Sequence, residues 1–162
     1  MTENIEVEKE LQYYELDGKW NDYIGLQKKV VSVLREDHFF EQKPVINIET
    51  GMEVRITAKG IRETLGSGNR FQTLPKKLKI NKVVTIRSLP ELIRSGYIIA
   101  DNVENSHSEN GYRYAYIGNS ILLDGKETNV RIAVKKKTGV NHFWIHNIDE
   151  YKKSLELLSP SI

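Results

Sequence analysis

The chain contains no cysteine, and that single absence excludes several chemistries. Disulfide frameworks, thiolate zinc sites and cysteine nucleophiles all need a side chain that this protein lacks. Long apolar runs are missing too, since no stretch approaches the roughly 20 residues that cross a bilayer. Residues 1–10 are acidic and have no apolar run, which disfavours a secretory signal peptide. We therefore expect a cytoplasmic protein without a membrane partner, including the case of one delivered into a target cell's cytoplasm.

Charge is unevenly distributed along the chain. The 162 residues are 39% hydrophobic and 28% charged, which is ordinary for one globular domain. Residues 1–50 carry 11 acidic and 6 basic side chains, whereas residues 51–162 carry 11 acidic and 18 basic ones. A local excess of cations favours an anionic partner such as nucleic acid. The alternative interpretation is a solvated, lysine-rich surface without a ligand.

The hydrophobic pattern predicts helices first and most of the strands afterwards. The predicted helices cover residues 19–37, residues 58–65, a segment that begins near Pro75 and another that begins near Pro90. The predicted short strands lie at residues 44–48, 54–56, 83–86 and 97–99. Residues 101–111 are polar and lack periodicity, which predicts a loop.

From Tyr112 onwards the pattern indicates a meander of strands. The predicted strands cover residues 112–117, 120–123, 128–136 and 141–148. The residue pairs between them, Gly118-Asn119, Asp124-Gly125 and Thr138-Gly139, are typical of tight turns. Short links pair sequential strands antiparallel, and a final helix is predicted over residues 149–158. The sequence therefore predicts an α+β fold, with N-terminal helices followed by a four-stranded antiparallel sheet.

Side chains alternate between the two faces of a strand, and this alternation separates apolar from polar residues in the last two strands. The apolar set is expected to face the helices and comprises Val130, Ile132, Val134, Phe143 and Ile145. The open face is expected to carry Arg131, Lys135, His142, Trp144 and His146. One surface would then present two cations, two imidazoles and a large aromatic ring.

This set of groups suits RNA cleavage without a metal or another cofactor. Cleavage needs a base for the 2′-hydroxyl proton, an acid for the leaving 5′-oxygen, and cations for the charge that grows on the phosphate. Histidine can perform either proton transfer near neutral pH, and Trp144 offers a stacking surface for an unpaired base. Residues four apart on a strand are separated by about 13 Å, so unless the strand is bulged only one of His142 and His146 is expected to be central, and we favour His146.

Two other interpretations of the same strand remain open. Histidines and a tryptophan on a strand are often half-buried packing residues with satisfied hydrogen bonds. His142 and His146 also have the spacing of a helical metal pair, but the aromatic and β-branched residues between them favour a strand, and no carboxylate lies within the segment. We therefore expect no metal site there.

Several further cations are candidate nucleic-acid ligands. Arg70 follows the glycines at 66 and 68, whose backbone amides could approach a phosphate, although glycines at a helix end need no function. Lys59 and Arg62 are three residues apart and share a helix face, where they would bind phosphate or be solvated. Lys136 follows Lys135 at a strand end, and such lysines also protect sheet edges. His107 lies in the polar loop.

Two blocks of sequence resemble a known group of domains. Residues 56–65 (ITAKGIRETL) and 70–75 (RFQTLP) are similar to the opening of domains found in large polyvalent proteins of phages and conjugative elements. Residues 130–136 (VRIAVKK) and 141–149 (NHFWIHNID) resemble their closing strands. These domains are grouped with the barnase–EndoU–colicin E5/D–RelE-like (BECR) ribonuclease superfamily, and the resemblance covers residues 52–150.

The resemblance implies a helical segment followed by a four-stranded antiparallel sheet with an RNA site on its open face. The catalytic residues that it implies are Lys59, Thr64, Arg131, Lys135 and His146. Arg62, Arg70, Lys136, His142 and Trp144 are the expected nucleic-acid-binding residues. The chain would then divide into an acidic helical extension (1–50), a nuclease domain (51–150) and a C-terminal helix and tail (151–162). The extension either completes the core or covers the basic face until a partner removes it.

The leading hypothesis is a metal-independent endoribonuclease of a toxin-like or mobile-element protein, acting through attack by the 2′-hydroxyl. Its partners would be RNA, tRNA included, and a cognate inhibitor or immunity protein. The alternatives are a non-catalytic module that binds RNA or DNA, and a protein-interaction domain of a mobile element.

Overall fold

The structure, a computed structural model, describes residues 4–16, 20–66, 69–103 and 111–150. Its helices are α1 (Val7–Tyr14), α2 (Tyr23–Glu36), α3 (Ala58–Thr64), α4 (Asn69–Thr73), α5 (Lys76–Thr85) and α6 (Leu89–Ser95). Its strands are β1 (Asn4–Ile5), β2 (Val45–Ile46), β3 (Glu53–Arg55), β4 (Tyr97–Val103), β5 (Tyr112–Leu123), β6 (Lys126–Lys137) and β7 (Phe143–Glu150). Two 3-10 turns lie at Phe39–Glu41 and Ile86–Ser88.

Side-chain caps set the start of two of these helices. The Asp22 carboxylate accepts a hydrogen bond from the Gly25 amide at 3.0 Å and begins α2. The Thr57 hydroxyl accepts one from the Gly60 amide at 3.1 Å and begins α3. Each cap satisfies one of the backbone donors that a helix start leaves without an internal partner. The second cap matters for the site, because it sets the position of α3 against the sheet.

The strands form one mixed sheet in the order β1-β5-β6-β7-β3-β2, with β4 also paired to β5. The pairs β5–β6, β6–β7, β4–β5 and β2–β3 are antiparallel, whereas β1–β5 and β3–β7 are parallel. The long β5–β6 hairpin is its centre, since Tyr112 to Leu123 pair continuously with Lys137 to Lys126. Seven strands are therefore joined within the described ranges.

The predicted four-stranded antiparallel sheet was wrong. Gly118-Asn119 makes no turn but lies inside the continuous strand β5. Glycine at position 118 leaves room for the Tyr97 ring, which lies 2.5 Å from the position that a Cβ would take. In addition, β1, β2 and β3 from the N-terminal part of the chain join the sheet. The protein is α+β, but its sheet is mixed and joins seven strands in the part of the chain that the structure describes.

Two further predictions of secondary structure do not match the structure where it is described. Residues 83–86, predicted as extended, are helical: α5 runs to Thr85 and a 3-10 turn follows. Val83, Val84 and Ile86 are fully buried there, so core packing overrides the strand preference of β-branched residues. The predicted helix over residues 149–158 begins inside β7, which ends at Glu150, and its remainder lies outside the described residues.

The larger hydrophobic core lies on one face of the sheet, which we call the inner face, and a smaller buried cluster of Tyr114, Tyr116 and Ala133 lies on the opposite face. As the alternation predicts, Val130, Ile132 and Val134 of β6 all point into the larger core. The helices supply the opposite side of the core through residues such as Leu26 and Leu34 of α2, Ile61 of α3, Val83 of α5 and Ile93 of α6. Burial of this apolar surface is the main stabilising term of the fold.

The acidic N-terminal part contributes to the same core. Ile5, Tyr14, Leu16 and Leu26 are buried in one cluster with Ile132 of the sheet. Of the two expected roles for residues 1–50, completing the core is the one that these contacts show. Within the part of the chain that the structure describes, no helix has the length and apolarity to cross a membrane.

Candidate functional site

The opposite, outer face of the sheet carries aromatic and charged residues in cross-strand rows. Residues paired in register point to the same face, so one row contains Arg55 of β3, Trp144 of β7, Lys135 of β6 and Tyr114 of β5. The Lys135 ammonium lies 5.2 Å from the centre of the Tyr112 ring, a cation–π distance. Lys135 therefore points to the face opposite that of the apolar residues of β6, as the alternation predicts.

A bulge in β7 interrupts the regular pairing at His146. Ala133 pairs with Asn147 and Val134 pairs with Ile145, so His146 is an extra residue between two paired ones. Bulges change the direction of a side chain, and the His146 ring here meets the Tyr114 ring edge-on at 5.3 Å. Its side chain is 33% exposed. His146 is thus accessible beside the outer face.

Helix α3 follows β3 and covers the edge of β7 that β3 leaves open. The close approach requires Gly60, since a side chain there would meet Ile145 of β7. At the other end of the helix the Thr64 hydroxyl donates a 3.4 Å hydrogen bond to the carbonyl of His146. Thr64 is buried, so this residue anchors α3 to the bulge and does not line the groove.

Glu63 of α3 joins two of the predicted site residues. Its Oε2 atom accepts a hydrogen bond from the Lys135 ammonium at 3.2 Å, and its Oε1 atom lies 3.8 Å from His146 Nδ1. The second distance is that of a charge contact, too long for a hydrogen bond. His146 Nδ1 is shielded from solvent and has no hydrogen-bond partner among the residues that the structure describes. The three side chains form a compact cluster, which we call the Glu63 cluster.

The surroundings of Glu63 keep its carboxyl ionised. Burial on its own raises the pKa of Glu63, but the close contacts of its carboxylate with His146 and with the Lys135 ammonium outweigh burial and hold the pKa below its ordinary value of 4.5. The Glu63 side chain is 19% exposed and that of Lys135 is 9% exposed. The charge of Lys135 is thus largely balanced inside the protein.

A groove of about 300 Å³ opens beside this cluster, between α3 and the outer face. Its lining residues are Thr57, Lys59, Gly60, Glu63, Tyr112, Lys135, Trp144 and Ile145. Lys59 is an exposed cation at the groove, and Tyr112 and Trp144 are half-buried aromatic residues. The groove therefore combines two lysines, of which Lys59 is exposed, with a carboxylate and two aromatic surfaces.

Of the predicted catalytic residues, the structure brings three together. Lys59 and Lys135 line the groove, and His146 adjoins it through Glu63. Arg131 lies apart, four residues along β6 from Lys135, with its guanidinium 5.1 Å from the Tyr116 ring. Asp149 of β7 is the residue paired with it in register.

Some of the predicted nucleic-acid-binding residues lie at the groove, and others lie away from it. Trp144 lines the groove, and the His142 ring packs edge-on against the Trp144 ring with 4.6 Å between the ring centres. The Nε2 atom of His142 is buried and has no hydrogen-bond partner within the described ranges. Lys136 lies over the Phe143 ring of the inner face, away from the groove. Arg62 is exposed on α3 but does not line the groove. The Arg70 side chain and His107 lie outside the described part of the structure.

Two residues of this site were not predicted, namely Glu63 and Tyr112. The only sign of Glu63 in the sequence was its position in a strongly basic segment. Between Arg55 and Arg94 there is one other acidic residue, Glu91. Its role arises from a contact with residues more than 70 positions further along the chain. Within the described ranges no three His, Asp or Glu side chains gather as a metal site would need.

These features define the class of protein: an α+β domain with a core on one face of a mixed sheet and a polar, aromatic groove on the other. The chain belongs to the family described as large polyvalent protein-associated domain 3, whose model matches residues 23–143. The match begins at the first residue of α2 and ends at the first residue of β7. Comparison with curated proteins and with solved structures found no significant match.

Proposed function

We infer that the protein is a metal-independent endoribonuclease whose active site is the groove beside the Glu63 cluster. The observation that carries this proposal is the contact of His146 with an ionised carboxylate, beside a groove that contains a cation and two aromatic rings. The resemblance of residues 52–150 to BECR ribonucleases, described above, supports the same chemistry by analogy. An acidic protein that inhibits the enzyme by covering the groove would be a natural partner.

The proposed reaction assigns one role to each group. His146 takes the proton of a 2′-hydroxyl as general base, and the 2′-oxygen attacks the adjacent phosphorus. The bond from phosphorus to the 5′-oxygen breaks, and the Lys59 ammonium donates the proton that this oxygen needs. The proton on His146 then passes to water and Lys59 takes one proton back from water, which restores both groups, and the products carry a 2′,3′-cyclic phosphate and a 5′-hydroxyl. Trp144 and Tyr112 stack on the unpaired base.

Glu63 is a positioning residue in this proposal. A carboxylate beside one imidazole nitrogen holds the ring in one orientation and leaves the other nitrogen for the substrate, as a buried aspartate does in serine hydrolases. Glu63 and His146 are only 3.8 Å apart, so they cannot stand on opposite sides of one phosphate as acid and base. Lys135 keeps the carboxylate charged and in place.

Incubation of the pure protein with tRNA or total RNA in EDTA tests the proposal. We expect cleavage that yields 2′,3′-cyclic phosphate ends, and a loss of at least about 100-fold in rate for His146→Ala. His38→Ala is the matched control, because His38 is an exposed histidine paired with Glu41. RNA that stays intact with the wild-type protein, or cleavage that His146→Ala leaves unchanged, would refute the assignment.

One observation favours a second candidate, a module that binds nucleic acid without cleaving it. Lys135 is balanced by Glu63, so the cluster is also consistent with a purely structural ion pair. Such a module would bind RNA in a salt-sensitive manner and release no product. The EDTA assay separates the two candidates, because only the enzyme generates new RNA ends.

A further inference from the structure

The row of residues across the outer face continues past the groove to Arg55. Arg55 of β3 pairs in register with Trp144 of β7, which in turn pairs with Lys135 of β6. Neighbouring strands lie about 4.8 Å apart, so the Cα atoms of Arg55 and Lys135 are about 10 Å apart on either side of Trp144. Arg55 therefore places a cation next to Trp144, on the side of Trp144 that is away from the Glu63 cluster.

The two cations in this row are each paired with a glutamate but differ in their exposure to solvent. The Lys135 side chain is 9% exposed and is held by Glu63, whereas the Arg55 side chain is 47% exposed. Arg55 donates from Nε to Glu53 at 3.1 Å, and its terminal nitrogens have no hydrogen-bond partner among the described residues. A guanidinium fixed at Nε with its outer edge open to solvent is well placed to bind an anion by two parallel hydrogen bonds.

Lys59 supplies a second exposed cation near the same end of the site. It is the second residue of α3, four residues after Arg55, and it lines the groove together with Trp144. An aromatic surface flanked by exposed cations matches a single strand of nucleic acid, in which bases are free to stack and phosphates alternate with them. A duplex keeps its bases stacked on each other and could not place one on Trp144.

We propose that Arg55 is a phosphate-binding residue of the site and that the groove receives single-stranded RNA running across the strands, from Arg55 over Trp144 towards the Glu63 cluster. This inference rests on the proposed function because it requires RNA as the ligand. It does not require that the RNA is cleaved. Arg55 is separated from the Glu63 cluster by Trp144, so it contributes to affinity and leaves the proton transfer to His146.

The test measures binding of a short, fluorescently labelled single-stranded RNA by anisotropy over a range of salt concentrations. We expect Arg55→Ala to weaken binding about tenfold. We also expect it to reduce the slope of log affinity against log salt by about 0.7, the value of one phosphate contact on a single strand. Lys126→Ala is the charge-matched control, because Lys126 is an exposed lysine at the other end of β6. A duplex of the same sequence should bind more weakly than the single strand.

The outcomes separate this inference from the function on which it rests. If the wild-type protein binds and cleaves RNA but Arg55→Ala keeps both affinity and salt slope, Arg55 is not a phosphate ligand. Tighter binding of the duplex would refute the single-stranded substrate in the same way. If the wild-type protein neither binds nor cleaves RNA, the proposed function fails and the inference fails with it. Thermal melting of Arg55→Ala, which should match wild type, excludes misfolding as the cause.

Discussion

The two faces of the central sheet use the same strands for different purposes. On the inner face Val130, Ile132 and Val134 are apolar, buried and packed against helices. On the outer face Lys135 makes specific polar contacts in a partly open groove, although it alternates with those residues along the same strand. Most of the apolar packing is thus on the inner face, whereas the outer face carries the polar contacts of the Glu63 cluster and the groove.

The largest expected effect comes from a cavity on the inner face. Ile132→Ala should lower the free energy of unfolding by about 3 to 4 kcal/mol, because Ile132 is completely buried and its removal leaves a void at the centre of the sheet. Chemical denaturation measures the change. A loss below about 1 kcal/mol would indicate that the inner face is not the main source of stability.

The Glu63 cluster should give the next largest change in stability. Lys135→Met should cost about 2 kcal/mol, because it keeps the aliphatic bulk but leaves the partly buried Glu63 carboxylate without its ammonium partner. The cost should fall when Glu63→Gln is added, since the unpaired charge is then removed. A double-mutant cycle by denaturation measures this coupling. Strictly additive effects would show that the pair contributes nothing to folding.

The pH dependence of stability should also originate partly at Glu63. Its pKa in the folded protein is below the ordinary value of 4.5, so the unfolded chain binds the proton more readily than the folded one. The contribution of Glu63 to the free energy of unfolding is therefore fully present above the pKa that Glu63 has in the unfolded chain. It is lost as the pH falls through the pKa of Glu63 in the folded protein. Unfolding measured from neutral pH down to acid should show a steeper loss for wild type than for Glu63→Gln. Parallel curves would contradict this assignment.

The smallest effect on stability is expected at the exposed end of the groove. Lys59→Ala should change the free energy of unfolding by less than about 0.5 kcal/mol, because Lys59 is solvent-exposed on a capped helix. The same change should reduce the rate of RNA cleavage at saturating substrate. An unchanged rate with unchanged stability would remove Lys59 from the proposed chemistry.

The alternation along β6 was predictable because it is local. A strand has a period of two, and the residues from Val130 to Lys135 show it without interruption. The caps and prolines that begin α3, α5 and α6 are local signals as well. These patterns were enough to locate Lys135 on the outer face and Ile132 on the inner one.

The features that could not be predicted from the sequence depend on contacts between residues that are far apart along the chain. The parallel pairing of β3 with β7 joins Val54 to Phe143, about 90 residues apart, and no periodicity encodes such a partner. The bulge at His146 is invisible in a pattern that assumes regular pairing. Glu63 and Arg55 became candidates only once α3 and β3 were found beside β7, because their roles come from the neighbours that the fold supplies.

The central claim is that RNA binds on the outer face, and NMR of the two tryptophan indoles tests it most directly. Trp144 lines the groove, whereas Trp20 packs against the hydrophobic core on the other side of the sheet. Titration with single-stranded RNA should shift the Nε1–H signal of Trp144 and leave that of Trp20 in place, with Trp144→Phe used to assign the two signals. A shift of Trp20 alone, or no shift at saturating RNA, would contradict the account.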